Sequence, residues 1–239
     1  MFENLNTDEQ VQEVEDKLGG FQILQSDPYK FVVDTAYVGE SDSGAGFLDL
    51  SLINEDGITY KERVYFTSGK EKGQKPYYID KKTKEKQWLP GYNIANAITT
   101  FTMDMPITEA VRKTKEKTLN IYDPDSKKEK PTKVPVLMGM LQKEIGLGIL
   151  KQVQNKTINR EGKYVPIPET REVNVIDRVF HPETGCTITE HNAGEEAGTF
   201  IDKWTAKNSG VTQDRRSIKS GAVDSGSGGK KEKKKSLFT

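Results

Sequence analysis

Histidine and cysteine are almost missing from this chain: two of the first and one of the second among 239 residues. The single thiol, Cys186, excludes an internal disulfide and fits a reducing compartment. His181, Cys186 and His191 are evenly spaced, but three residues at that spacing fall short of the four ligands of structural zinc, so no metal is predicted. Hydrolytic signatures are missing as well. There is no GxxxxGK phosphate loop, no GxSxG elbow and no carboxylate cluster at nuclease spacing. Gly146-Leu147-Gly148 falls inside a predicted strand, with no helix after it to make a nucleotide loop. Neither an enzyme nor a cofactor is expected. No apolar run approaches the roughly 20 residues of a membrane span. The start, MFENLNTDEQ, lacks the charged-then-apolar order of a signal peptide. The expectation is a soluble, intracellular protein that does not engage a membrane.

Net charge is absent too, but only as a sum. Lys and Arg number 36, and so do Asp and Glu. Residues 207–239 hold nine bases against three acids, which leaves 27 against 33 elsewhere. Residues 1–20 alone carry six acids and one lysine. Charge is therefore sorted by segment. Hydrophobic residues at 33% and charged residues at 30% still describe a foldable body.

Along the chain, residues 7–18 read as a short helix with Val11, Val14 and Leu18 on one stripe. Strand patterns follow at 29–38, 46–53 and 58–67, separated by the turn-forming runs GESDSGAG and NEDG. In the second strand Leu48, Leu50 and Leu52 share a core face, with Phe47, Asp49, Ser51 and Ile53 opposite. A helix is predicted over 90–101, from a proline start, with Ile94, Ala97, Ile98 and Phe101 in register. Residues 104–133 read as charged and loop-like around a short strand, TLNIYD, and 137–145 as a helical turn. Strands at 146–158 and 171–180, joined by the loop 159–170, come before a last helical turn at 200–207. Three strands, a helix and two strands predict a mainly β protein: a five-stranded OB-fold Greek-key barrel with one short helix, long loops and a disordered C-terminal tail. The predicted division is an acidic N-terminal segment (1–20), a binding domain (21–208) and a basic tail (209–239).

The strongest chemical signal is lysine interleaved with aromatics: Lys61, Arg63, Tyr65, Lys75, Tyr77, Tyr78, Lys81, Lys82, Lys84, Lys86, Trp88 and Tyr92. Single-stranded nucleic acid needs both, cations for phosphates and flat rings for bases. The alternative is that Tyr77, Tyr78 and Trp88 pack over the barrel while the lysines keep a long loop soluble. Trp88, just before the helix, is the ring most suited to a structural part. A second basic set comprises Lys151, Lys156, Arg160 and Lys163, with Tyr164 beside it, around the last strand–strand loop. That loop is either the far wall of an OB-fold groove or an ordinary solvated hairpin. The tail GSGGKKEKKKSLFT joins a Gly/Ser leash to Lys233, Lys234, Lys235, Ser236, Leu237 and Phe238, a basic reach with an apolar tip suited to an acidic partner surface.

The blocks TLNIYDPDSKKEKPTKVPVLMGMLQKEIGLGILKQVQNKT (118–157) and YVPIPETREVNVIDRVFHPETGCT (164–187) resemble the single-stranded DNA-binding proteins of lytic tailed phages. The terminal KKSLF (234–238) is similar to the tail of the N4-like phage type. The resemblance spans about residues 20–208 and the last few. It implies an OB-fold that coats single-stranded DNA, without sequence specificity, in replication and recombination in the host cell cytoplasm. It also implies a tail that recruits replication and recombination proteins and engages host RNA polymerase to activate late transcription. Bacterial single-stranded DNA-binding proteins end on an acidic tail, so the partners of those tails are not implied. A purely protein-binding phage adaptor with an OB-like body stays as the alternative.

Overall fold

The computed structural model describes residues 22–123, 126–160 and 163–218. The acidic segment 1–20 and the terminal residues Lys233 to Phe238 lie outside these described residues. β1 (Asp27–Glu40), β2 (Gly46–Asn54) and β3 (Thr59–Tyr65) form an antiparallel meander. Leu48, Leu50 and Leu52 are fully buried on its inner face, with Tyr60 and Val64 beside them. A bulge between Val33 and Thr35 shifts the parity of β1 by one residue. Phe31 and Val33 before it, and Ala36 and Val38 after it, all reach the same core.

Two elements break up the lysine-rich insertion that follows. β4 (Tyr77–Ile79) and β5 (Lys86–Trp88) pair as a small separate hairpin, and α1 (Pro90–Met103) then starts on its proline. A short α2 (Ile107–Ala110) leads to β6 (Lys115–Asp123) and β7 (Lys128–Val136). These two strands pair over their full length, so much of the stretch expected as loop is a hairpin. Its side chains are mostly exposed and its lysines and two prolines hide the strand pattern, which is why composition read as loop.

β8 (Glu144–Arg160) and β9 (Lys163–Phe180) make one long hairpin. The loop expected at 159–170 is mostly strand. Pro166 and Pro168 are tolerated there because, among the described residues, β9 pairs with β8 alone and its other edge has no ladder to break. After α3 (Ile188–Asn192) and α4 (Phe200–Asn208), β10 (Thr212–Asp214) runs parallel along residues 151–153 of β8, just beyond Ile149, the partner of the first residue of β1. Ser26 joins the three: its hydroxyl donates to the Val211 carbonyl and accepts the N–H of Lys151. The side chain of Asn155 then accepts the N–H groups of Ser217 and Ile218. Paired chain thus continues past the expected body–tail boundary at 208.

The protein is mainly β and largely antiparallel, as expected, but with ten strands among the described residues rather than five. The path β9–β8–β1–β2–β3 does not close, since β3 and β9 are not paired. α1 packs against both of them and fills the gap with Ala95, Ala97 and Ile98. Its start is tight: a Cβ on Gly91 would lie 2.0 Å from the Tyr65 carbonyl oxygen, so only glycine fits. Among the described residues no helix is long and apolar enough to cross a membrane.

One inner-face residue of β3 is a carboxylic acid. Glu62 accepts a hydrogen bond from the buried Tyr60 hydroxyl. Burial pushes the Glu62 carboxyl above its ordinary range despite that bond. A raised acid favours the fold fully below the ordinary carboxylate range, and that support is lost as pH rises through the folded value. Glu62→Gln keeps an acceptor for Tyr60 and removes the buried charge. Its thermal midpoint is expected to exceed the wild type's at pH 7, by about 2–4 °C for each kcal/mol relieved. The gain should shrink as pH falls through the raised folded value and be essentially gone once pH is below the ordinary value of 4.5. An equal gain at both pH values would contradict this.

Candidate nucleic-acid interface

The outer face of the meander carries Lys61, Arg63 and Tyr65 from β3, opposite Ser51, Asp49 and Phe47 of β2. Gly39 and Tyr37 of β1 complete the rows Gly39–Phe47–Tyr65 and Tyr37–Asp49–Arg63. Phe47 points outward, yet it is only 7% exposed. Val134 and Val136 of the β6–β7 hairpin, with Leu119 and Ile121, pack into a second small core with it and Tyr37. Its ring meets Tyr37 and Tyr65 edge-on, and the Arg63 guanidinium lies 4.1 Å above it. Arg63 also donates from Nε to Asp49 at 2.7 Å. Burial raises the Tyr37 hydroxyl above its ordinary range, Asp49 adding to the effect and Arg63 opposing it.

Tyr65 is 46% exposed and stands at the border of a cleft of about 920 Å³. The other lining includes Lys70, Lys72, Lys75, Tyr77 and Tyr78. The β4–β5 hairpin is tied down by a ladder of rings. Tyr77 meets Trp88 edge-on, and Trp88 stacks on Tyr92 of α1 at 4.5 Å and 21°. Lys86 and Lys75 lie over Tyr77 at 5.0 and 5.9 Å. Tyr77 and Trp88 are braced by neighbours, although Trp88 keeps 53% of its surface exposed, and Tyr78, register partner of Gln87 on the opposite face of the hairpin, is 46% exposed. Lys81, Lys82 and Lys84 occupy the exposed turn. Asp80 shapes it by accepting the N–H groups of Lys82 and Thr83, and the bonds from Thr83 and Lys82 hold its carboxyl below the usual range.

Of the first basic set, Tyr65, Lys75, Tyr77 and Tyr78 line the cleft, Lys61 and Arg63 lie on the adjoining sheet face, and Lys81, Lys82, Lys84, Lys86, Trp88 and Tyr92 are outside its lining. The second set is not part of that cleft. Lys151 is ion-paired with Glu172 and Lys156 with Glu169, each at 3.0 Å. Arg160 and Tyr164 are exposed near the end of the β8–β9 arm, Tyr164 as the register partner of Asn159 and Lys163 as that of Arg160. Register attaches this arm at the Asp27 end of β1, whereas Phe47 and Tyr65 lie near its Glu40 end. His181 and His191 stack 6.1 Å apart, both edge-on to Phe101, and Cys186 is buried. Among the described residues no group of three or more His, Cys, Asp or Glu is arranged to hold a metal.

Sequence reasoning missed the β6–β7 hairpin as part of this surface. The available signal was the alternation Lys115, Lys117, Leu119, Ile121 on one face of β6.

Gly39 is what lets Phe47 lie flat. A Cβ there would sit 2.6 Å from Cζ of the ring. Gly39→Ala is expected to tilt the ring against Arg63 and Tyr65 and cost about 1–3 kcal/mol by overpacking. Urea unfolding measures the cost, and amide exchange should show β6–β7 loosening before the inner core. Wild-type stability and exchange would contradict this account of Phe47.

No protein-family model matches the chain, and no curated protein matches it.

Proposed function

We propose that this chain is a non-catalytic single-stranded DNA-binding protein that coats DNA without sequence specificity. The observation that carries the reading is the company kept by the exposed rings. Tyr65 and Tyr78 are half exposed beside a cleft bordered by Lys70, Lys72 and Lys75, which outnumber the Asp42 and Glu71 also in its lining. None of these lysines, nor Lys81, Lys82, Lys84 or Lys86, is ion-paired among the described residues. Exposed aromatic area costs free energy in water unless a partner covers it, and a row of like charges repels itself unless an anion neutralises it. A strand of nucleic acid does both, with bases on the rings and phosphates at the lysines.

The body is proposed to be of the OB type. Its support is the chain order β1–β2–β3–α1–β8–β9, with β1 paired to both β2 and β8 and the helix across the open gap. The proposed roles in replication and recombination, and recruitment of partner proteins and host RNA polymerase by Lys233 to Phe238, follow from the sequence resemblance.

A labelled oligonucleotide titrated at several salt concentrations tests the reading. Single-stranded DNA should bind more tightly than duplex, with a log–log salt slope of about −0.7 per phosphate neutralised. Tyr78→Ala should weaken binding by about 1–3 kcal/mol with the slope unchanged. Lys82→Ala with Lys84→Ala should instead reduce the slope by about 1.4. Equal affinity for duplex and single strand, or tighter binding of RNA than DNA, would overturn the assignment.

A further inference from the structure

The outer face of the sheet is wider than the meander. Arg63 is the register partner of Asp49, Asp49 of Tyr37, Tyr37 of Val136, and Val136 of Lys115. Partners across an antiparallel ladder share a face, so Lys115 is presented on the same side as Arg63. Two residues on, Lys117 is the partner of Val134, which belongs to the cluster around Phe47. Glu116 lies between the two lysines, and the alternation of the strand turns it to the opposite face. The hairpin is not a flat extension of the sheet. Leu119 and Ile121 pack against the buried cluster of Tyr37, Phe47, Val134 and Val136, so hairpin and meander share one apolar patch on this face.

Cations stand on both edges of that patch: Lys61 and Arg63 on β3, Arg63 already paired with Asp49 at 2.7 Å, and Lys115 and Lys117 on β6. Four strand spacings separate the edges, roughly 19 Å at most before curvature. Lys115 and Lys117 are exposed, and among the described residues neither is ion-paired. A hairpin that only needed solubility would gain nothing from placing its two bases inward and the intervening acid outward. That sorting does suit a polyanion lying across the strands, which would otherwise meet Glu116.

We infer that the β6–β7 hairpin is the second wall of the single-stranded DNA site. Lys115 and Lys117 hold backbone phosphates on the side opposite Lys61 and Arg63, so the strand crosses β3, β2, β1, β7 and β6 in turn. This inference rests on the single-stranded DNA reading above and adds two binding residues to it.

The test is a salt titration of labelled oligo-dT with the full-length wild type, the double variant Lys115→Ala, Lys117→Ala, and Glu116→Gln. The double variant should bind more weakly at low salt, with a slope reduced by about 1.4 for two lost phosphate contacts. Its unfolding midpoint should match the wild type's, since both side chains are exposed. Glu116→Gln should leave the slope unchanged. A wild-type protein that binds oligo-dT, beside a double variant of the same affinity and slope, would overturn the second wall alone. A wild-type protein that does not bind at all would overturn the single-stranded DNA reading, and this inference with it.

Discussion

The surface of this protein depends on one aromatic ring on the outer side of a sheet. Phe47 alternates away from Leu48, Leu50 and Leu52 and would ordinarily face water. Instead Gly39 makes room beneath it, Tyr37 and Tyr65 flank it, Arg63 covers it, and the β6–β7 hairpin closes over one side. Burying a phenyl ring this way contributes about 1.5–3 kcal/mol, enough to hold a hairpin whose own side chains are mostly exposed. Without Phe47, β6 and β7 would be joined to the body through little more than the single Tyr37–Val136 pairing and the link to β8.

The β4–β5 hairpin solves the same problem with a different anchor. It has no buried core of its own, and the stack of Trp88 on Tyr92 fastens it to α1. Helix α1 is fixed in turn by the close approach of Gly91 to Tyr65 and by its packing across the open gap between β3 and β9. Tyr65 therefore sits where both arrangements meet, touching Phe47 on one side and the cleft on the other. Rings used as anchors and rings left half exposed alternate within one short region. That alternation allows a surface to be rigid and still offer flat apolar faces to bases.

Much of the body was legible in the sequence. The meander and α1 showed themselves because half-buried strands alternate and Pro90 marks a helix start. The stack of Trp88 on Tyr92 agrees with the structural part expected of that ring, although Trp88 stays 53% exposed. What escaped was structure made from polar residues. β6 and β7 hold Lys, Glu, Thr, Asn and Pro at most positions, and only Leu119, Ile121, Val134 and Val136 report the face they bury. The distal β8–β9 hairpin was obscured by Pro166 and Pro168, which an edge strand accommodates. β10 was invisible because three residues paired through backbone carry no side-chain pattern. In each case the information lay in tertiary contact rather than local composition.

The most direct test of the central claim is where a single strand touches the protein. Oligonucleotides carrying 4-thiothymidine, photocrosslinked to the full-length protein and mapped by mass spectrometry, report that position residue by residue. The account predicts adducts on Tyr65 and Tyr78 and on peptides spanning residues 115–123. Adducts confined to the β8–β9 arm around Tyr164, or to the terminal residues beyond 218, would contradict it.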